Sequence, residues 1–180
     1  MLGSAVEKVL RESGVETIMA SRTQGVRFDA ENLGSEELIA TAGLGAGDYI
    51  INCVGLTKAR IDESSHTSRD LAVKLNIEFP SNLAAAAEQS RVKVIQVATD
   101  CVFSGTGGNY SEAAGHDALD VYGKTKSLGE VPSENVMHLR CSLVGPEIGR
   151  SSLFFEWVRS QPEGAKISGY TNHIWNGLSS

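Results

Sequence analysis

The sequence predicts an α/β fold, a doubly wound parallel sheet with helices on both faces. Short apolar runs rich in β-branched residues alternate along the chain with longer segments of helical pattern, and each run ends at polar residues or glycine. Strands that alternate with helices usually pair in parallel, because each crossover helix packs on a face of the sheet. The 180 residues, 41% hydrophobic and 21% charged, are enough for one domain with its own core.

The first element in the chain is a helical pattern at residues 3–14. A doubly wound sheet ordinarily begins with a strand followed by a glycine turn, and only then a helix. We therefore expect the first strand to be missing, and the chain to be a fragment or to begin at an internal methionine. Residues 170–180 likewise show no recognisable closing element.

Strands and helices then alternate. The predicted strands are residues 15–21, 48–55, 92–100 and 136–145, and the further helices are residues 35–43, 64–90 and 120–130. Pro80 removes a backbone donor from the long helix, but the pattern continues directly after it, so we predict one bent helix. Asp120 is predicted to cap the last of these helices, and Pro132 to end it.

Composition excludes several classes of protein. The net charge of -6 argues against a general binder of nucleic acid or anionic membranes, and no apolar run is long enough to span a bilayer. The N-terminus lacks the pattern of a signal peptide. Cys53, Cys101 and Cys141 are far apart, which predicts buried thiols in a reducing cytoplasm. Neither they nor the four histidines have metal-ligand spacing, so no metal is predicted.

Small or polar residues stand at the ends of all four predicted strands. Ligands of open parallel sheets bind beyond these carboxyl ends, so the pattern favours a binding site over ordinary loop polarity. The residues are Ser21, Arg22, Asn52, Cys53, Gly55, Thr99, Asp100, Ser142 and Gly145.

Tyr122 and Lys126 lie four residues apart and therefore share one helix face. They are either a solvated face with a half-buried ring or an acid–base pair. A phenol has a pKa of about 10, and lowering it by roughly 3 units requires about 4 kcal/mol. One ammonium about 4 Å away supplies a term of that size at an effective dielectric constant of about 20. With the Thr99 hydroxyl, the pair suits protonation of a carbonyl oxygen while hydride reaches its carbon.

The stretch VATDCVFSGTGGNYSEAAGHDALDVYGKTKSLGE, residues 97–130, resembles the core of the extended short-chain dehydrogenase/reductase family, in particular its dTDP-4-dehydrorhamnose reductase (sugar-nucleotide reductase) branch. Order and spacing both fit the family pattern, and the similarity extends to INCVG, to the helix with Asn76 and to LRCSLVGPE. The matching groups are Ala98-Thr99-Asp100, Val102-Phe103-Ser104-Gly105, Tyr110-Ser111-Glu112, Tyr122-Gly123-Lys124-Thr125-Lys126 and Gly129-Glu130.

The resemblance implies a Rossmann-like fold. Residues 1–150 would be the NAD(P)-binding domain, incomplete at its N-terminus, and residues 151–180 the start of a substrate-binding C-terminal part. Gly3 would be the last glycine of the phosphate-binding turn, at a helix N-terminus that favours anions. The run GLGAGD at residues 43–48 precedes a strand instead of following one, so it is not counted as a second glycine fingerprint.

The resemblance also implies catalytic roles. Tyr122 would be the general acid, and Lys126 would lower its pKa and hold the nicotinamide ribose. Thr99 would orient the sugar carbonyl. The substrate-binding residues would be Thr99, Asp100, Val102 and Phe103.

Further residues are expected to bind the cofactor. Arg22 stands where an acidic residue would favour NAD, so it suits the 2′-phosphate of NADP, unless it is a solvated arginine. Asp29 would meet the adenine, and Cys53 and Gly55 would line the cofactor. Asn76 either orders a proton relay or is a buried amide that satisfies the backbone beside Pro80.

The function implied by the resemblance is NADPH-dependent reduction of a 4-keto sugar nucleotide, with NADP preferred to NAD. Two alternatives stay open: a non-catalytic, NADP-binding regulatory subunit, and an epimerase or dehydratase of the same family. We expect a cytoplasmic protein with no nucleic-acid or membrane partner, and a homodimer is an open alternative to a monomer.

Overall fold

A computed structural model describes residues 2–32, 34–145, 154–169, 171 and 178–179. The chain divides into two compact units. The larger unit is Glu16–Arg140, and it contains the predicted site residues except Gly3 and the strand-end residues Ser142 and Gly145. The smaller unit combines Met1–Val15 with Cys141–Ser180.

The larger unit is built on a parallel sheet, which confirms the α/β class. Its strands β3 (Tyr49–Asn52), β4 (Lys93–Ala98) and β5 (Val136–Arg140) lie in the order β3-β4-β5. They confirm three predicted strands, each with shorter bounds. The predicted strand 136–145 ends at Arg140, and Leu143–Val144 form β6 of the smaller unit, paired in parallel with β7 (Leu178–Ser179).

The predicted strand at residues 15–21 is wrong over its first five residues. Only Ala20–Ser21 form a strand, β1, which pairs in parallel with β2 (Val26–Arg27). A ladder needs a neighbouring strand to receive its hydrogen bonds, and in the described part of the chain residues 15–18 pair with no strand, while Met19 only accepts one bond from the N–H of Val26. The turn between β1 and β2 requires Gly25, which has a φ of +68° and no room for a Cβ beside the carbonyl of Met19.

The long helical segment is continuous but not uniform. Helix α3 (His66–Val73) passes into a π-helical turn (Lys74–Glu78) and then into α4 (Phe79–Ser90). Pro80 has no N–H for the carbonyl of Asn76, four residues before it, and the wider turn accommodates this missing bond. The prediction of one helix is therefore confirmed, with a π turn as its irregularity.

The core lies between helices and one face of the sheet. Helix α2 (Ser35–Thr41) contributes Leu38 and Ile39, and α4 contributes Leu83, which is 1% exposed. Along β4 the buried Val94, Gln96 and Ala98 alternate with part-exposed residues, as expected for a strand with one face on the core. The core residues are Phe28, Leu38, Ile39, Phe79, Leu83, Ala86, Ala87, Val92 and Val94.

The smaller unit contains α1 (Leu2–Glu12) and α6 (Phe154–Arg159). Helix α1 carries an apolar stripe and (i, i+4) ion pairs, among them Lys8 with Glu12 at 3.9 Å, which together favour an amphipathic helix. The predicted domain boundary at residue 150 lies outside the described residues. No helix in the described part of the chain is long and apolar enough to cross a membrane.

Candidate functional site

Helix α5 (Val121–Leu128) carries the predicted acid–base pair. Asp120 caps it as predicted, because its Oδ1 accepts a 2.7 Å hydrogen bond from the backbone N–H of Gly123. The helix ends at Leu128, four residues before Pro132. Its first turn therefore begins at a fixed point two residues before Tyr122.

Two glycines let α5 approach its neighbours backbone to backbone. A Cβ on Gly123 would collide with the carbonyl oxygen of Cys101 and with the Cβ of Ala118. A Cβ on Gly129 would collide with the carbonyl oxygen of Asn76. These contacts seat the helix against the end of β4 on one side and against the π turn on the other.

The three predicted catalytic residues converge at the end of β4. Thr99 follows that strand, is 6% exposed, and interacts with the phenol of Tyr122. The Thr99 Oγ1 also accepts from the N–H of Cys101 at 3.2 Å, which caps the 3-10 turn Asp100–Val102. Lys126 Nζ donates to the carbonyl oxygen of Val97 at 3.2 Å.

The electrostatics of Tyr122 differ from the expectation. Burial raises the pKa of its phenol, and the charges of Cys101, Asp100 and Asp120 raise it further, whereas the hydrogen bond with Thr99 lowers it. The expected lowering of this pKa by Lys126 is not what this structure shows. The ammonium of Lys126 is directed at a β4 carbonyl, and desolvation of the phenolate is the largest effect. The phenol is thus protonated at neutral pH, as a proton donor must be.

Asn76 joins two parts of the site. It is 1% exposed; its Oδ1 accepts from the N–H of Leu56 at 2.8 Å, and its Nδ2 donates to the Leu56 carbonyl and to Thr125 Oγ1, both at 3.1 Å. Thr125 Oγ1 in turn donates to the carbonyl oxygen of Tyr122 at 3.0 Å. The structure thus shows a buried amide satisfying backbone, although that backbone belongs to the loop after β3 instead of the turn beside Pro80.

The loop after β3 lies beside these residues. A Cβ on Gly55 would stand 3.4 Å from Asn76 Oδ1 and 3.5 Å from Lys126 Nζ. The conformation of the loop is set by Asn52, whose Oδ1 accepts from the N–H of Val54 at 2.9 Å on the far side of Cys53. Gly55 therefore faces the same space as Lys126, and Cys53 lies at the start of the same loop.

A buried amide pair beneath this loop was missed by sequence reasoning. Asn52 Nδ2 donates to Gln96 Oε1 at 2.7 Å, and both residues are 3% exposed. The two residues are direct neighbours across β3 and β4. The available signal was one amide in each of two apolar strands.

The other predicted cofactor residues lie elsewhere. Arg22 follows β1 with an exposed side chain, and its Nη1 is 3.9 Å from Glu31 Oε1. The Asp29 carboxylate accepts from the N–H of Glu31 at 3.1 Å and from Asn32 Nδ2 at 3.2 Å. Gly3 lies in α1 of the smaller unit.

The side chains of two predicted substrate residues pack against other residues of the protein. Val102 is fully buried, and its carbonyl accepts from the N–H groups of Asp117 and Ala118. Phe103 stacks on Tyr110 with ring centroids 4.4 Å apart. In this structure both side chains pack within the loop after β4, and their contact with a substrate stays a prediction. Asp100 stays half-exposed beside Thr99.

Arg140 organises a second network that the sequence did not reveal. Its Nε and Nη2 donate to the carboxylate of Glu130, the shortest contact being 2.7 Å, and Nη2 lies 2.9 Å from His116 Nε2. The guanidinium is also 5.5 Å from the ring centroid of Phe103. The His116 Nδ1 is 2.7 Å from Ser127 Oγ in α5. The network therefore ties the end of α5 to β5 and to the loop after β4.

One cavity lies away from this site. It has a volume of about 260 Å³ and lies between α2 and α4. Its polar lining includes Asn32, Ser35, Lys74, Glu78 and Asn82, and none of Thr99, Tyr122 or Lys126. Among the described residues there is no group of three or more His, Cys, Asp or Glu side chains placed to hold a metal ion.

Residues 1–145 match the protein family described as the RmlD substrate binding domain. Among curated proteins, the chain is 28% identical over 173 residues to a probable low-salt glycan biosynthesis reductase, Agl14, of Haloferax volcanii, covering 89% of this chain and 57% of that protein. It is 32% identical over 132 residues to the methionine adenosyltransferase 2 subunit beta of Xenopus laevis, covering 72% of this chain and 39% of that protein. The chain thus spans about half the length of these relatives, or less.

Solved structures of dTDP-4-dehydrorhamnose reductases also resemble the chain. A dTDP-4-dehydrorhamnose reductase from Clostridium acetobutylicum has a TM-score of 0.66 at 28% identity, over 79% of this chain and 50% of that one. A dTDP-4-dehydrorhamnose reductase from Bacillus anthracis, in complex with NADP, has a TM-score of 0.63 at 23% identity, over 80% of this chain and 51% of that one. These likenesses confirm the predicted Rossmann-like, doubly wound fold.

Proposed function

The chain belongs to the RmlD substrate binding domain family of extended sugar-nucleotide reductases, and on this premise we propose that its protein reduces a 4-keto sugar nucleotide with NADPH. The observation that carries the proposal is the convergence of Thr99, Tyr122 and Lys126 at the end of β4. Ligands of open parallel sheets bind beyond such strand ends.

The residues around this strand end fit a nicotinamide nucleotide. Gly55 leaves the space beside Lys126 free of a side chain, because a Cβ there would touch both Lys126 and Asn76. The nucleotide, when bound, supplies the hydride. Lys126 would hold its ribose and Gly55 and Cys53 would line it, while Arg22 and Asp29 would hold the adenosine part.

In the proposed reaction Tyr122 donates its phenolic proton to the substrate carbonyl oxygen as hydride adds to the carbonyl carbon. The π bond of the carbonyl is lost as a C–H and an O–H bond form, the C–O single bond stays, and the phenolate left behind regains a proton from solvent. Thr99, whose hydroxyl interacts with the phenol, would orient the carbonyl oxygen. Lys126, whose ammonium donates to the carbonyl oxygen of Val97 here, would hold the nicotinamide ribose and offset part of the negative charge of the phenolate.

Replacement of Tyr122 tests the reaction. Tyr122→Phe removes the proton donor and keeps the ring, so we expect the rate of keto-sugar reduction to fall by roughly 10²–10⁴ with unchanged NADPH affinity. Steady-state rates and a fluorescence titration measure the two quantities. An unchanged rate in the variant would refute the role of Tyr122.

The choice of NADP over NAD rests on Arg22. Its exposed guanidinium is available to a 2′-phosphate, since its contact with Glu31 is long at 3.9 Å. We expect NADPH to bind more tightly than NADH, and Arg22→Ala to reduce this preference. Equal affinities of the parent chain for NADPH and NADH would contradict this preference. Arg27→Ala, at an exposed arginine of β2, is the matched control and should keep the preference.

The methionine adenosyltransferase relatives favour a second candidate function, a nucleotide-binding subunit of another enzyme. This candidate predicts NADPH binding and a stoichiometric enzyme partner, with no turnover of any keto sugar. An epimerase or dehydratase, which recycles its cofactor, would show no net consumption of NADPH. Net oxidation of NADPH by a keto-sugar nucleotide therefore separates reduction from both alternatives. The homodimer and the cytoplasmic location remain predictions.

A further inference from the structure

Two side chains from the loop after β3 hold the first turn of α5. Lys58 Nζ lies 2.7 Å from Asp120 Oδ2. Glu63 Oε1 accepts a 3.1 Å hydrogen bond from the backbone N–H of Val121. These contacts meet α5 immediately before Tyr122, although the two partners of each are about sixty positions apart in the chain.

The loop that supplies these side chains is itself anchored. Its beginning is held by Asn76, which bonds both the N–H and the carbonyl of Leu56. Its end is held by α3, because Arg69 Nη1 donates to the carbonyl oxygen of Glu63 at 2.7 Å. Ser68 Oγ likewise accepts from the N–H of Asp62 at 2.9 Å. The loop, which is fixed at both ends, therefore connects the residues expected to bind the cofactor with the first turn of α5.

We propose that Lys58 and Glu63 are positioning residues, which fix the first turn of α5 and thereby the orientation of the Tyr122 phenol. The proposal rests on the proposed function of Tyr122. It adds two residues from outside the motif that carries the catalytic pair.

The unpaired N–H groups at the start of a helix explain the role of Glu63, and of Asp120, the residue that Lys58 holds. The first four N–H groups of an α-helix have no partner within the helix. Glu63 takes the N–H of Val121 and Asp120 takes that of Gly123, so each carboxylate orients part of the turn that bears Tyr122. Without them, this turn would bond water and could adopt several orientations.

Lys58 has a second effect, on charge. Asp100, Cys101 and Asp120 face the Tyr122 phenol, and each disfavours its ionisation. The ammonium of Lys58, which faces Asp120, Glu63 and Cys101, offsets the negative charge of Asp120. Loss of Lys58 would leave that carboxylate uncompensated beside the phenolate formed in the reaction.

The first test follows the Tyr122 ring itself and needs no turnover. In the full chain with ring-labelled tyrosine, Tyr122→Phe identifies the Tyr122 signal by NMR. We expect Lys58→Met and Glu63→Met to shift and broaden this signal. Glu63→Gln, which keeps an acceptor oxygen, should restore it, and Arg60→Met, in the same 3-10 turn, should leave it unchanged. A signal identical in Lys58→Met, Glu63→Met and the parent chain would overturn the proposal.

The second test measures coupling to the reaction. We expect Lys58→Met and Glu63→Met to lower kcat by about tenfold and to change the KM for NADPH by less than about twofold. In the Tyr122→Phe background the same substitutions should have no further effect, because residues that act through one group are not additive. If these substitutions lowered kcat as much in the Tyr122→Phe background as in the parent chain, the proposal would be overturned. If the parent chain shows no turnover, the ring signal still decides the positioning role by itself, so failure of the proposed function and failure of the positioning role stay distinguishable.

Discussion

The two ends of α5 are held by ion pairs that differ in their exposure to water. At the first turn, the side chains of Lys58 and Asp120 are 68% and 32% exposed. At the other end, those of Arg140 and Glu130 are 23% and 7% exposed. Exposed pairs contribute little to stability, whereas a buried charge that loses its partner is costly. The comparison teaches that one helix can be anchored for stability at one end and for orientation at the other.

The largest expected effect is at the buried end. Arg140→Met removes the guanidinium from the Glu130 carboxylate and leaves it only the longer contact with His116, at 3.7 Å, so we expect the free energy of unfolding to fall by about 3 kcal/mol. Denaturation in urea measures the change. The double variant with Glu130→Met should recover part of the loss, because no uncompensated charge remains. A loss below about 0.5 kcal/mol would show that this end is not the stabilising one.

The second largest loss of stability is expected at Gly129, next to Glu130. Gly129→Ala forces a methyl group against the carbonyl of Asn76, and overpacking of this kind costs about 2 kcal/mol. Gly115→Ala is the matched control, since nothing lies within 4 Å of a Cβ there. Thermal unfolding of the two variants compares them. Equal melting temperatures would mean that α5 can move away from the π turn at little cost.

The exposed end should contribute least to stability. Lys58→Met should lower the free energy of unfolding by less than about 1 kcal/mol, and the difference should vanish in about 1 M salt. The loss in Arg140→Met should persist in the same salt, because the buried pair is poorly screened. Urea titrations with and without salt measure both. A salt-resistant loss in Lys58→Met would remove the contrast between the two ends.

The smallest effect is the pH dependence of the exposed end. Burial raises the pKa of Asp120, but the N–H of Gly123 and the ammonium of Lys58 lower it more, so this pKa lies below its usual value. A lowered pKa contributes stability above the unfolded value of about 4, and that contribution is lost as the pH falls through the folded value. The stability difference between the parent chain and Asp120→Asn should therefore shrink below about pH 4. A difference that grows on acidification would contradict the lowered pKa.

Much of the fold followed from local pattern. β-Branched apolar runs predicted β3, β4 and β5, and the cap at Asp120 predicted the start of α5, because periodicity and capping act over a few neighbouring residues. The same reasoning failed at residues 15–19, since a strand exists only with a neighbour and an apolar run does not reveal whether one is present. The π turn also escaped, although Pro80 marked its place.

The candidate site divides in the same way. The sequence by itself predicted that Tyr122 and Lys126 share one helix face and that Thr99 ends a strand, because both follow from local spacing, and the family resemblance implied that the three residues act together. Only the tertiary structure decided that burial raises the pKa of the Tyr122 phenol, and that Lys58 reaches Asp120. Desolvation and ion pairing depend on distances between residues far apart in the chain, and the fold sets those distances.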